Sequence, residues 1–151
     1  MEATLNTPPT KSRYGFTQYN QDLSKIIQKL KYPLATTHLY GVHRGGMVPA
    51  VHLSNVLGIP LNVIKYQRLD GNDHTPQIAI QNEELKTTSS VLVIDDIYDS
   101  GITMDKISTM FSSLGIQRVQ LLTLFGKPND VGVEYINEHD GEWVEFFWEV
   151  N

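Results

Sequence analysis

Acidic and small residues follow directly after one hydrophobic run in the middle of the chain, in the segment VLVIDDIYDSGIT, residues 91–103. The run Val91–Ile94 is β-branched and aliphatic throughout, which is typical of a parallel strand buried on both faces. Such a strand delivers Asp95 and Asp96 to its carboxyl end, where open α/β sheets bind their ligands. The next loop, Asp99–Thr103, leads straight into a predicted helix. We therefore take this segment as the principal candidate site.

The loop carries the groups that hold a phosphate monoester. Gly101 permits a positive φ and a close backbone approach, and Ser100 and Thr103 offer hydroxyl donors. The start of the helix adds unpaired N–H groups and the positive end of the helix dipole. The alternative is a buried strand, an acidic turn and an ordinary capped helix. The ordered coincidence of hydrophobic run, acid pair, third acid and small-residue loop favours the binding site.

Carboxylates beside a phosphate cradle need an explanation, because like charges repel. Two unit charges about 4 Å apart interact by about 4 kcal/mol at an effective dielectric constant near 20. Asp95 and Asp96 suit an anionic ligand if they accept hydrogen bonds from sugar hydroxyls and attract a magnesium ion chelated by the ligand's other oxygens. A ligand that combines a phosphate, a diol and a pyrophosphate meets each of these requirements.

A second loop has the composition of a pyrophosphate site. The sequence His43-Arg44-Gly45-Gly46 follows the predicted strand His38–Val42 and opens a predicted helix. Successive backbone amides at a glycine pair form an anion-binding nest, and an adjacent Arg adds a fork of donors. The alternative is a plain glycine turn between strand and helix.

The segment 91–103 resembles the PRPP-binding signature of the type I phosphoribosyltransferases, where PRPP is 5-phosphoribosyl-1-pyrophosphate. The resemblance covers about Tyr14 to Glu149 and is nearest to the xanthine-guanine and hypoxanthine enzymes. It implies an α/β fold with a central parallel sheet flanked by helices and a small C-terminal hood. It also implies Mg²⁺-dependent transfer of the phosphoribosyl group from PRPP to a 6-oxopurine (guanine, xanthine or hypoxanthine), with release of pyrophosphate.

The resemblance assigns roles to individual residues. Asp95 and Asp96 match the acids associated with the ribose and with Mg²⁺, and Asp99 matches the acid that handles the N7 proton of the base. The remaining PRPP contacts fall in two loops: Ser100, Gly101, Ile102 and Thr103 for the 5′-phosphate, and His43, Arg44, Gly45 and Gly46 for the pyrophosphate. His43 stands where the family usually has Ser, and its role is open.

Three further residues match positions that bind the base. Lys127, at the end of a predicted strand, would donate to an exocyclic oxygen and so favour an oxo group over an amino group. Trp143 is the candidate for stacking on the base, and the backbone of Val144 for reading its edge. The alternatives are a solvated Lys127 and a tail in which Trp148 and Phe147 are simply core residues of the hood.

Strands and helices are expected to alternate along the chain, which indicates a parallel sheet. The expected strands are His38–Val42, Leu61–Tyr66, Val91–Ile94 and Val119–Phe125, and the expected helices run from Thr17 to before Pro33, from Met47 to Leu57 and from about Thr103. Residues 67–90 are polar and without period, so they form either a lid or a weak hairpin. Arg68 in this stretch either contacts pyrophosphate or is solvated. We expect a flexible leader over 1–13 and a single domain over 14–151, with the hood over about 129–151.

The overall composition narrows the class of protein. The chain has 151 residues, 12 Lys and Arg without a cluster, a net charge of −5 and no Cys. These features predict no nucleic-acid partner, no disulfide and no thiolate metal site. No apolar run approaches a membrane span and no secretory signal is evident, so we expect a cytoplasmic protein, as a homodimer or homotetramer. Transfer to another base, or a PRPP-sensing regulator on the same fold, are the alternatives; the regulator would need a basic face.

Overall fold

The computed structural model describes residues 11–31, 35–69, 73–79 and 85–149. The strands in these ranges are β1 (Lys11–Tyr14), β2 (His38–Val42), β3 (Leu61–Leu69), β4 (Asp73–Ala79), β5 (Ser90–Ile97), β6 (Arg118–Gly126), β7 (Val133–Glu138) and β8 (Trp143–Phe146). The helices are α1 (Phe16–Lys29), α2 (Met47–Leu57) and α3 (Ile102–Ser113). None of the helices in these ranges has the length and hydrophobicity that crossing a bilayer requires.

The main sheet has the strand order β4-β3-β2-β5-β6-β7. The five strands from β3 to β7 in this order run parallel, and β4 lies antiparallel to β3 at the edge. This confirms the predicted α/β fold with a central parallel sheet. The chain leaves β2 toward β3 on one side and then returns through β5 to the other side. The order therefore reverses between β2 and β5, and such a switch point opens a ligand-binding crevice at the carboxyl ends of the strands.

The two faces of the sheet are buried by different helices. Along β5, Leu92 and Ile94 belong to the same apolar cluster as Leu53 of α2, whereas Val93 packs in the cluster that contains Ile107 of α3. Successive side chains of a strand point to opposite faces, so an apolar run with no polar interruption is what burial on both sides requires. This packing fixes the carboxyl end of β5 as a rigid platform.

A small second sheet forms the hood. Strand β1 pairs in parallel with β8, with Lys11 opposite Trp143 and Tyr14 opposite Phe146. The predicted leader therefore overlaps a strand in its last three residues, and residues 1–10 lie outside the described part of the chain. The segment predicted as the hood, about 129–151, contains the strands β7 and β8.

Tyr14 ties the hood to the rest of the molecule. Its hydroxyl donates to Asp22 Oδ2 of α1 at 2.7 Å, and Asn137 Nδ2 of β7 donates to the same oxygen at 2.8 Å. The ring of Tyr14 packs edge-on against Phe146 and Trp148. Burial and the neighbouring Asp22 raise the pKa of the Tyr14 hydroxyl, so it stays a donor across the physiological range. A buried phenol thus links the hood to α1 and β7.

The polar stretch 67–90 takes the hairpin form where it is described. Strand β3 continues to Leu69 and pairs antiparallel with β4, with Leu69 opposite Asp73 and Val63 opposite Ala79. Residues 70–72 and 80–84 lie outside the described residues, as does the side chain of Arg68. The role of this stretch as a lid stays a prediction.

Candidate active site

Two glycines let the loop after β2 lie directly against the end of β5. A Cβ on Gly46 would lie 2.8 Å from the Cα of Asp95 and 2.9 Å from the backbone N of Val42. A Cβ on Gly45 would overlap the carboxylate of Asp96. Only residues without a side chain allow this approach, so the glycine pair places the loop beside the acid pair. The peptide bond between His43 and Arg44 is cis.

Asp95 and Asp96 form a carboxylate pair whose charge is not compensated. The backbone N–H of Asp96 donates to Asp95 Oδ1 at 2.8 Å. Burial, and then repulsion from Asp96, raise the pKa of Asp95 well above its ordinary value, and burial likewise raises the pKa of Asp96. Within the described part of the chain, no Lys, Arg or His forms an ion pair with either carboxylate. The pair therefore suits a cation or a set of hydroxyl donors.

The loop before α3 leaves backbone donors facing a cavity. Gly101 adopts φ 84° at the start of the helix, where the Ser100 hydroxyl accepts from the N–H of Ile102 at 3.5 Å. The backbone N–H of Asp105 donates to Gly101 O at 2.9 Å, so the N–H groups of the preceding turn have no acceptor within the helix. The cavity of about 230 Å³ is lined by Ser100, Gly101 and Thr103 together with the acid pair. This arrangement fits a phosphate at a helix N-terminus.

A side chain at position 101 would also meet the ring of Tyr98, because a Cβ on Gly101 would lie 2.8 Å from Tyr98 Cζ. Tyr98 is buried and its N–H donates to Phe125 O at 2.8 Å. The floor of the phosphate cavity is therefore held by β6, and the sequence alone did not single out this residue.

Asp96 lines three cavities and so joins them into one site. Besides the phosphate cavity, one of about 380 Å³ contains Arg44, Gly45, Trp148 and Glu149. Another of about 430 Å³ is lined by Asp99, His139 and the hood residues Glu142, Trp143, Val144, Phe146 and Glu149, among others. The three spaces are therefore neighbours around one carboxylate.

A small charged cluster surrounds Asp99, which lines the hood-side cavity. Lys127 Nζ lies 3.8 Å from Asp99 Oδ1, and His139 Nε2 lies 3.7 Å from the same oxygen. Trp143 is 61% exposed on the cavity wall, whereas Val144 is buried. Lys127 thus has an acidic neighbour although it is 46% exposed, and the roles proposed for Lys127 and Trp143 stay predictions.

Not every predicted residue turns its side chain to the site. His43 is exposed, and its N–H donates to Ile64 O at 2.9 Å, which extends the pairing of β2 with β3. Ile102 is also exposed, so it can serve the phosphate loop only through its backbone. Trp148 stacks on Phe146 with ring centroids 4.7 Å apart, as expected for a core residue of the hood, yet it also lines the cavity of Arg44.

Residues 16–151 match the model of the phosphoribosyl transferase domain family. The chain belongs to this family. Among its relatives, xanthine-guanine phosphoribosyltransferase of Cereibacter sphaeroides is 28% identical over 117 residues, which cover 73% of this chain and 67% of that protein. Purine phosphoribosyltransferase from Pyrococcus horikoshii is 30% identical and superimposes with a TM-score of 0.77, over 93% of this chain and 95% of that one.

Xanthine-guanine-hypoxanthine phosphoribosyltransferase of Helicobacter pylori has the same fold at 20% identity, with a TM-score of 0.73 and coverage of 95% of both chains. The sequence resemblance to the type I phosphoribosyltransferases is thus confirmed. For this phosphoribosyltransferase, the family implies PRPP and a base as substrates.

Proposed function

We propose that the protein transfers the phosphoribosyl group of PRPP to a 6-oxopurine, with guanine, xanthine and hypoxanthine as the candidate bases. One observation carries the choice of base. Asp99 lines the cavity that Trp143 and Val144 also line, and the Lys127 ammonium lies 3.8 Å from Asp99 Oδ1. An ammonium group donates to an oxo group and is repelled by an amino group, so this wall favours a 6-oxopurine over adenine. The names of the relatives from Cereibacter and Pyrococcus support a purine substrate.

PRPP is proposed to lie across the three cavities. The 5′-phosphate binds the backbone donors and hydroxyls of Ser100–Thr103, and the pyrophosphate binds the loop of Arg44, Gly45 and Gly46. The ribose hydroxyls donate to Asp95 and Asp96, which only accept when ionised. This placement uses every polar group that the two loops present to the crevice.

The acid pair also fits Mg²⁺. This ion prefers oxygen ligands and keeps several waters, so one or two carboxylates plus ligand phosphates hold it. Asp95 and Asp96 supply such oxygens, and burial, which raises the pKa of both, disfavours their negative charge until a cation compensates it. The two carboxylates would hold the ion, which would supply positive charge to neutralise the departing pyrophosphate.

The proposed reaction needs positioning more than covalent chemistry. Trp143 holds the base flat, and Lys127 donates to its exocyclic oxygen. The base nitrogen forms a bond to C1 of the ribose while the bond from C1 to the pyrophosphate oxygen breaks, and its electron pair leaves with the pyrophosphate. Asp99 accepts the N7 proton of the base, which leaves the product neutral at the ring.

Product analysis with PRPP, Mg²⁺ and each base in turn tests the proposal. We expect transfer to guanine, hypoxanthine or xanthine and none to adenine or to pyrimidines. Transfer to adenine or orotate alone would show that another base is the acceptor. PRPP binding without transfer to any base would instead indicate a regulator.

The role of Asp99 has a sharper test. Asp99→Asn keeps the size of the side chain and removes the proton acceptor, so kcat should fall roughly 100-fold or more, as for loss of a general base. The Kd of PRPP with Mg²⁺, measured by calorimetry, should change far less than kcat, since Asn keeps the size and polarity of the side chain that lines both the phosphate cavity and the hood-side cavity. A large loss of PRPP affinity at normal kcat would contradict this role.

Cytoplasmic location and a homodimer or homotetramer stay predictions.

A further inference from the structure

His139 is a buried residue of the hood-side cavity that the proposed reaction has not used. It follows β7, and its N–H donates to the carbonyl of Gly126 at 2.6 Å, which fixes its backbone to the end of β6. Its side chain is only 6% exposed, although it lines the cavity with Trp143. The ring therefore has little freedom to move.

The two ring nitrogens of His139 have different surroundings. Nε2 lies 3.7 Å from Asp99 Oδ1, whereas Nδ1 is buried and has no hydrogen-bond partner among the described residues. An ionised carboxylate only accepts, so the nitrogen that faces Asp99 carries the hydrogen. Nδ1 is then a bare buried acceptor, a costly arrangement that native proteins keep chiefly at sites of function.

Lys127 is the other neighbour of Asp99, and it contacts the same oxygen, Oδ1, at 3.8 Å. The second oxygen is therefore left for the base. Asp99 is 68% exposed and Lys127 is 46% exposed, so neither is held by packing. In the proposed reaction Lys127 donates to the base, and an ammonium that turns to the base leaves Asp99. The rigid neighbour that remains is His139.

We propose that His139 is a positioning residue: its Nε2–H holds one oxygen of Asp99 while Lys127 is engaged by the base, so that the other oxygen meets the N7 proton. The inference rests on the proposed function. The separation of 3.7 Å exceeds a hydrogen bond, and a shift of roughly 1 Å would form one, as ligand-free sites often require. Lys127 thus selects the base, and His139 keeps the proton acceptor aimed.

Kinetics of two substitutions test the division of labour. His139→Phe keeps a ring and loses the donor, so kcat with hypoxanthine should fall about tenfold, the order expected for a hydrogen bond to a charged group. The KM for PRPP should stay within about twofold. His139→Gln returns an amide donor and should recover most of kcat. His38→Gln, at the opposite end of β2, is the matched control and should retain wild-type kinetics.

A double substitution separates positioning from packing. In the Asp99→Asn background, His139→Phe should lower kcat no further, because the group it positions is already absent. An equal fall of kcat in both backgrounds, or a higher KM for PRPP at unchanged kcat, would overturn the inference. Thermal unfolding of each variant checks that it folds.

The nitrogen NMR spectrum of the wild-type protein provides a test that needs no turnover. It should show His139 protonated at Nε2 and bare at Nδ1; a hydrogen on Nδ1 alone would refute the inference whether or not His139→Phe folds. If the wild type transfers to no purine, the proposed function fails and the inference fails with it. If the wild type is active and His139→Phe keeps its kcat, the inference alone fails.

Discussion

Substituting Gly46 by Ala tests whether contact between the two loops builds the site. The added methyl group would meet backbone atoms on three sides, namely the carbonyl oxygen of Ile94, the Cα of Asp95 at 2.8 Å and the N of Val42 at 2.9 Å. None of these atoms can rotate away, since all belong to the paired strands β2 and β5 or to their ends. The loop must therefore move away from the sheet.

The cost can be estimated from similar changes. Forcing a methyl group into a packed region costs about 1–3 kcal/mol, and contact with backbone on every side places Gly46→Ala at the upper end. Ala also lowers the backbone entropy of the unfolded chain, which stabilises the folded protein by about 0.4–1 kcal/mol. The net loss of unfolding free energy is then about 2 kcal/mol, which corresponds to roughly 6 °C in Tm for a domain of this size.

Two other glycines serve as controls. At Gly15 a Cβ would have nothing within 4 Å, so Gly15→Ala should change the unfolding free energy by less than about 1 kcal/mol. At Gly45 the collision is with the side chain of Asp96, which can turn aside. Gly45→Ala should therefore lower the unfolding free energy far less than Gly46→Ala does. It should weaken PRPP binding more than tenfold, because the displaced carboxylate lines all three cavities.

Differential scanning calorimetry of the three ligand-free variants, followed by PRPP titration with Mg²⁺, measures both quantities. If Gly46→Ala melts within about 1 °C of Gly15→Ala, the loop does not depend on close contact with β5. The two loops would then not form one crevice through close contact.

Three further predictions concern single side chains. Asp95→Asn should raise the Tm of the ligand-free protein at neutral pH, because a carboxyl with a raised pKa destabilises the fold once it ionises. The gain in Tm should shrink as the pH falls toward the ordinary carboxyl range. Calorimetry at a series of pH values measures this gain. Trp143→Ala should raise the KM for the base about tenfold and leave Tm nearly unchanged, since the ring is exposed; steady-state kinetics and melting check this. Lys127→Gln should raise the KM for hypoxanthine about tenfold and leave that for PRPP unchanged.

A specific result would contradict each of these three predictions. A lower Tm for Asp95→Asn at neutral pH would mean that the carboxylate is compensated in the ligand-free protein, since the Asn oxygen still accepts from the N–H of Asp96. Trp143→Phe keeps an aromatic face and should keep most of the base affinity; equal losses for Phe and Ala would exclude stacking. Unchanged kinetics for Lys127→Gln would make that Lys a partner of Asp99 alone.

The elements that the sequence predicted well are those with a local signal at both ends. Helix α2 has its predicted bounds because Gly58 adopts φ 68° and ends it. The apolar run Val91–Ile94 predicts the part of β5 that is buried on both faces, and the observed strand continues through Asp95 and Asp96 to Ile97. Strand β1 gave no such signal, because four residues become a strand only by pairing with β8 far along the chain.

The site also has a part that the sequence predicts and a part that it does not. Each of the two phosphate loops is one continuous stretch of sequence, so the types and order of its residues reveal it. The cluster of Asp99, Lys127 and His139 joins the ends of three successive strand-loop segments, and no spacing in the sequence relates them. A lone His carries no pattern, and its burial beside a carboxylate becomes visible only when β6 and β7 lie side by side.

The pairing of β1 with β8 has an evolutionary consequence. The loops proposed to hold the sugar phosphate follow β2 and β5, whereas the proposed stacking residue Trp143 stands on a ribbon that packs through Tyr14 onto α1. Under the proposed function, selection can change the stacking surface on this ribbon while the phosphate loops stay as they are. Lys127 and Asp99, proposed to read the exocyclic oxygen and the N7 proton, follow β6 and β5 and would stay with the main sheet.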